Sequence, residues 1–196
     1  MKSVLISIQP YWVFLIIAKI MGWDIGKEKT IEVRKNFPKD NDWDKIAKIY
    51  CSKYKKSFNL IPKEYQPLMQ KFLGKVIGEF VCNRIDEWKY LPDGFVEDEN
   101  EKIYYITSAD GHATCLIYDE IKNYGKGKPL YGWQISNLKI YDKPKELSEF
   151  YIKCEKGNCL KCDWEREYDV CACKYEKPIT RPPQSWCYVE SGVQCE

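Results

Sequence analysis

The sequence predicts a mainly β domain with flanking helices, an α+β fold over residues 1–150, followed by a cysteine-rich extension over 151–196. Short runs rich in β-branched and aromatic residues alternate with a few short helical runs. No internal repeat or low-complexity stretch interrupts them. Seven of the ten cysteines fall in the last 43 residues, which marks a change of composition near Pro144.

The elements follow in order. Val4–Ile8 reads as a strand, Gln9-Pro10 as a break, and residues 11–21 as a helix. Ser3, Ser7, Gln9 and Pro10 interrupt the apolar run and Lys19 ends it. That pattern fits neither a signal peptide nor a membrane span of about 20 residues. The expectation is therefore a cytoplasmic protein with no membrane partner. Residues 29–35 form a charged strand, and 44–52 place Trp43, Ile46, Ala47 and Tyr50 at helical spacing. A short helix over 62–72 ends at Gly74, and 75–85 is the clearest strand. Residues 86–101 are acidic and turn-rich; a helix over 113–124, closed by Gly125 and Gly127, and a strand over 130–141 complete the domain.

Charge narrows the function classes. There are 31 Lys+Arg against 29 Asp+Glu, a net charge of +2, which excludes a polycation and an acidic disordered chain. The average conceals a basic stretch: residues 45–63 hold six lysines and no acid, with Tyr50, Tyr54 and Phe58 interleaved. His112 is the only histidine, which excludes mechanisms needing two.

Strand alternation over 29–35 puts Lys29, Ile31 and Val33 on one face and Thr30, Glu32 and Arg34 on the other. Glu32 and Arg34 are then neighbours able to pair. Four stretches in order resemble the ASCH family, a branch of the PUA-like β-barrels: Ile8-Gln9-Pro10; the helix 11–21; Gly26 with Lys29-Thr30-Ile31-Glu32-Val33-Arg34; and Val76-Ile77-Gly78-Glu79-Phe80. The stretches 130–135 and 143–147 resemble the closing strand of bacterial and phage members. The resemblance covers residues 4–150. It implies a small β-barrel whose cleft suits RNA, a single-stranded nucleic acid or a modified nucleobase, with Lys29, Glu32, Arg34 and Glu79 as ligand-binding residues. Lys29 and Arg34 supply donors, Glu32 and Glu79 acceptors, and the 45–63 stretch an electrostatic track with stacking rings.

Two other functions are compatible with these residues. Some proteins resembling this family are amidohydrolases of acetylated cytidine that use a Lys, a Thr and a Glu. By position these are Lys29, Glu32 and Glu79, so the hydroxyl nucleophile is replaced by a carboxylate. A ribonuclease using the same groups is the variant of this reading. The third reading is a phage protein-interaction module that inhibits a host protein.

The tail spacing Cys154-x4-Cys159-x2-Cys162-x8-Cys171-x-Cys173 suits convergence of thiolates on one ion. The expected ligand quartet is Cys154, Cys159, Cys162 and Cys171, with Cys173 or Cys187 as alternates. A structural zinc would supply much of the folding free energy of a segment poor in aliphatic residues. Cys51, Cys82 and Cys115 read as small buried apolar residues. The segment Pro182–Val189 is similar to one near the end of phage-type ASCH proteins, which implies that it packs back on the barrel near the pocket.

Overall fold

A computed structural model describes residues 3–38, 45–90, 95–97, 103–105, 111–152 and 178–191. The chain opens with β1 (Ser3–Ile8) and α1 (Pro10–Ile17), divided where Pro10 takes the first helical position. Helix α1 is shorter than the expected 11–21, because residues 18–22 close as a turn in which Trp23 N–H donates to Ala18 O. Strand β2 (Ile31–Arg34) follows.

Residues 44–52 were expected to be helical, and this is corrected: Lys45–Cys51 is strand β3. It lies in the middle of a sheet, parallel to β1 and antiparallel to β4 (Val76–Cys82). Ala47, Ile49 and Cys51 face the main core while Tyr50 faces a second one. Both faces are covered, so the polar alternation that marks a strand is lost. Between β3 and β4 stand two short helices, α2 (Lys55–Phe58) and α3 (Gln66–Gln70).

Beyond β4 the strands β5 (Ile85–Tyr90), β6 (Phe95–Glu97) and β7 (Ile103–Tyr105) lead to α4 (Gly111–Thr114) and α5 (Tyr118–Gly125). These two helices replace the single one expected over 113–124, and Cys115, with φ of 56°, marks the break. Then come β8 (Leu130–Gln134), β9 (Ser136–Lys145), β10 (Phe150–Ile152) and β11 (Trp186–Ser191).

The strands form two sheets. One has the order β10-β11-β1-β3-β4-β9, the other β2-β8-β5-β6-β7. The chain crosses from the first to the second between β4 and β5, and returns between β8 and β9. The two long expected strands, 75–85 and 130–141, each bend at that crossing. At the second bend Ile135 N–H donates to Thr30 O at 2.9 Å. Among the described residues the sheets do not close into a barrel; the fold is α+β, mainly strand.

The main core lies under α1, where Val13, Phe14, Leu15, Ile16 and Ile17 pack with Val4, Ile6 and Ile8 of β1, with β3 and β4, and with Trp133 of β8. Burial of this much apolar side chain is the dominant stabilising term. On the other face of the first sheet a smaller core joins Leu5, Tyr50, Val76, Phe150 and Val189. Strand β11 supplies Val189 and sits between β10 and β1, so residues 178–191 are part of the first sheet. Cys51 and Cys82 are buried and Cys115 half-buried, and none of the three is in a disulfide. Among the described residues no helix is long and apolar enough to cross a membrane.

Candidate functional site

Strand β2 pairs with β8, with Glu32 opposite Trp133 and Arg34 opposite Tyr131. Glu32 and Arg34 therefore project from one face, and Arg34 Nη2 meets Glu32 Oε1 at 3.0 Å. Lys29 precedes the strand and is free of its alternation. It turns toward Glu32, against the expectation that it faces away, and its Nζ lies 3.5 Å from Glu32 Oε2. All three side chains are buried: Lys29 is 2 %, Glu32 5 % and Arg34 7 % exposed.

The polar atoms of this triad are unequally satisfied. Lys29 Nζ donates to the carbonyls of Ile31 and Thr114, each at 2.7 Å, and stands 5.2 Å from the Trp12 ring centroid. Two of its three protons are thus committed to carbonyls, and the third faces Glu32 across an ion-pair distance too long for a good hydrogen bond. Burial pushes the Lys29 amine down, and the neighbouring Glu32 carboxylate opposes that shift. Arg34 Nη2 also donates to Ser7 O at 2.6 Å. Arg34 Nε and Glu32 Oε2 are buried without a hydrogen-bond partner. A buried polar atom left in that state costs about 1–3 kcal/mol.

These atoms belong to residues lining a cavity of about 240 Å³. Its other walls include Ser7 of β1, Gln9 and Trp12 where β1 turns into α1, and Leu116 and Tyr124 from the α4–α5 region. Sequence reasoning missed Trp12, Leu116 and Tyr124. The usable signal for Trp12 was its place in the first turn after Gln9-Pro10; Leu116 and Tyr124 carry none, because the break at Cys115 sets where they sit.

Glu79 was expected in the same cleft, but it is not among the residues lining this cavity. It lies opposite Lys48 across the β3–β4 ladder. Lys48 Nζ donates to Glu79 Oε2 at 2.9 Å and Tyr141 Oη donates to the same oxygen at 2.7 Å. Burial pushes the Glu79 carboxyl up, but these two hydrogen bonds and the Lys48 charge outweigh it and hold the group below the ordinary carboxylate range. Tyr141 is correspondingly raised, by burial first and then by Glu79.

The basic track is also redistributed. Lys45 and Lys48 are buried in β3, so the exposed lysines begin at Lys53. Cys154, Cys159, Cys162, Cys171 and Cys173 lie outside the described residues. Cys187 is half-buried in β11 opposite Leu5, and burial pushes its thiol up to about 11. Among the described residues no three of His, Cys, Asp and Glu cluster as metal ligands. The side chain of His112 is outside the described set.

No family profile matches the sequence, and no curated protein is similar to it. Solved structures are. The ASCH protein of Zymomonas mobilis superposes with a TM-score of 0.50 at 16% identity, over 96% of this chain and 88% of that one. A tyrosine-to-phenylalanine variant of it gives 0.50 at 16% identity, over 97% and 91%. A serine-to-alanine variant gives 0.51 at 16% identity, over 96% and 89%. The likeness runs almost end to end and is one of architecture: this chain has the fold of the ASCH-domain proteins.

Proposed function

We propose that the chain is an ASCH-type module that binds RNA or a modified nucleobase, with one base seated in the cavity beside Lys29, Glu32 and Arg34. The observation that carries this is a pair of buried atoms that accept or donate no hydrogen bond, Glu32 Oε2 and Arg34 Nε, on residues of the cavity wall. An acceptor and a donor on two residues that are themselves paired complement a base edge that offers a donor and an acceptor. Trp12 and Tyr124 add aromatic surface for the base. The volume of about 240 Å³ falls below the roughly 300–1,000 Å³ of sites for drug-sized ligands, which suits a single base or nucleoside.

Binding is favoured over hydrolysis for two reasons. Glu79 is held by Lys48 and Tyr141, apart from the other members of the expected catalytic set. Two Lys29 protons are committed to backbone carbonyls and its charge faces Glu32, so its role is to position Glu32 and the Thr114 segment.

Calorimetric titration with a panel of nucleosides that includes acetylated cytidine tests the reading. Arg34→Ala should weaken the best ligand by roughly tenfold or more, the scale of a lost charge-assisted hydrogen bond. No binding by any nucleoside, or equal binding by Arg34→Ala with an unchanged far-UV spectrum, overturns it.

We also propose that Cys154, Cys159, Cys162 and Cys171 hold one structural zinc. Tyr151 bridges Pro178 and Ile179 N–H donates to Phe150 O, so the segment 153–177 leaves and rejoins the fold at neighbouring positions. Five cysteines in a segment whose flanking residues are held next to each other are favourably placed to share an ion. Elemental analysis should give about one zinc per chain, lost in Cys159→Ser/Cys162→Ser. Metal-free protein with intact disulfides counts decisively against it.

A further inference from the structure

We infer that the exposed lysine-rich segment 53–63 is a phosphate-backbone subsite continuous with the cavity, so that the ligand is a base within a single-stranded RNA rather than a free nucleoside. The inference rests on the base-binding reading of the cavity and adds the path of the strand beyond it.

Position is the first ground. Gln9 and Trp12 line the cavity, and the residues between and beside them are fastened to the start of this segment. Ser52 N–H donates to Ile8 O at 2.8 Å, and Tyr11 N–H donates to Ser57 Oγ at 3.0 Å. The β1–α1 junction is thus common to both: it lines the cavity and is bonded to residues 52 and 57. The path inferred for the strand runs from the cavity over this junction to the segment.

Chemistry is the second ground. Lys53, Lys55, Lys56 and Lys63 are all exposed, and Glu64 is the one acid in the whole stretch 51–75. No acidic side chain among the described residues pairs with these four lysines, whereas Lys19 is bridged to Glu28 and Lys75 to Glu146. Between them Tyr54 is 48 % and Leu60 65 % exposed. An aromatic ring among unneutralised cations is the composition of single-strand sites, where bases stack and phosphates are neutralised. Lys53 is also placed rather than loose: its side chain crosses Gly74 so closely that a Cβ there would lie 2.1 Å from Lys53 Cε. Gly74, at φ of +78°, leaves that passage open.

The experiment compares the best-binding nucleoside with a 10-nucleotide homopolymer RNA of the same base. Both are titrated against the 196-residue wild-type chain, a Lys53→Gln/Lys55→Gln/Lys56→Gln variant and Tyr54→Ala. Wild type should bind the oligomer at least tenfold more tightly than the nucleoside at low salt. The triple variant should keep nucleoside affinity, lose most of that advantage, and reduce the slope of log K against log salt by about two, at roughly 0.7 per neutralised phosphate. Tyr54→Ala should weaken the oligomer roughly fivefold or more. Nucleoside binding without an oligomer advantage overturns this inference alone. So does an oligomer advantage unchanged in the triple variant, or equal binding of a polyglutamate peptide. Absence of nucleoside binding in wild type overturns the cavity reading beneath it.

Discussion

Glu32→Ala is expected to lower stability by about 3–5 kcal/mol, the scale on which removing one partner strands a buried charge. The residue sits 5 % exposed between Lys29 and Arg34, themselves 2 % and 7 % exposed. Without its carboxylate two cations remain in one buried site, and neither can leave easily. Lys29 is tied to Ile31 O and Thr114 O, and Arg34 to Ser7 O. The loss should also depend on pH. Burial already holds the Lys29 amine below its ordinary 10.5, and Glu32 is the main influence raising it. Deleting Glu32 therefore drives Lys29 lower still. Between the folded value and 10.5 the unfolded chain binds the extra proton, so stability rises with pH across that window. The deficit of Glu32→Ala should accordingly be smaller near pH 10 than at pH 7. Because the damage is excess charge, Lys29→Met combined with Glu32→Ala should cost less than the sum of the two single changes. Urea unfolding of the four proteins at both pH values reads all of this. Simple additivity with no pH dependence would show that the triad is not one electrostatic unit.

The same triad shows what the sequence disclosed and what it hid. Alternation over Ile31–Arg34 was enough to put Glu32 and Arg34 together. It misplaced Lys29, because period-two reasoning holds only inside a strand and β2 begins at Ile31. Strand β3 was hidden for a related reason. Its Lys45 and Lys48 are 3 % and 6 % exposed, and a lysine in a sequence reads as a solvent-facing mark. What allows Lys48 to be buried is Glu79 on β4, 31 residues along the chain, itself held by Tyr141 on β9, 62 residues further on. Helical spacing of Ile46, Ala47 and Tyr50 then won by default. Glu79 was drawn to the wrong cluster by the same long-range pairing. The order of motifs places it in the right strand, but only the register of β3 against β4 decides which cation it meets.

Gly78→Ala is expected to be the most damaging single-methyl change among the described glycines, at about 3 kcal/mol or more. A Cβ at Gly78 would lie 2.3 Å from Lys139 O and 3.1 Å from Ile140 Cα. Both contacts are with the backbone of β9, which pairs with β4 at this position, so no rotamer change relieves them. The strand itself has to move. Two other glycines provide the scale. At Gly132 the Cβ would meet the Trp88 ring at 2.6 Å, a side chain with some freedom to turn. At Gly22 nothing lies within 4 Å, and the cost is the left-handed φ of +68° alone, about 1–2 kcal/mol for an alanine. Denaturant midpoints should fall in the order Gly22→Ala, Gly132→Ala, Gly78→Ala, with Gly78→Ala lowest. A Gly78→Ala protein no less stable than Gly22→Ala would mean that β9 yields freely. Displacing β9 strains more than one edge, because the chain enters it from β8, and β8 is the strand that holds Glu32 and Arg34 in register. A glycine followed by glutamate in this strand thus has two separate causes. The first residue is small because β9 crosses it, and the second is charged because Lys48 and Tyr141 wait on the other face. A change at residue 78 accordingly disturbs the partly buried Lys48–Glu79 pair as well as the wall of the cavity two strands away.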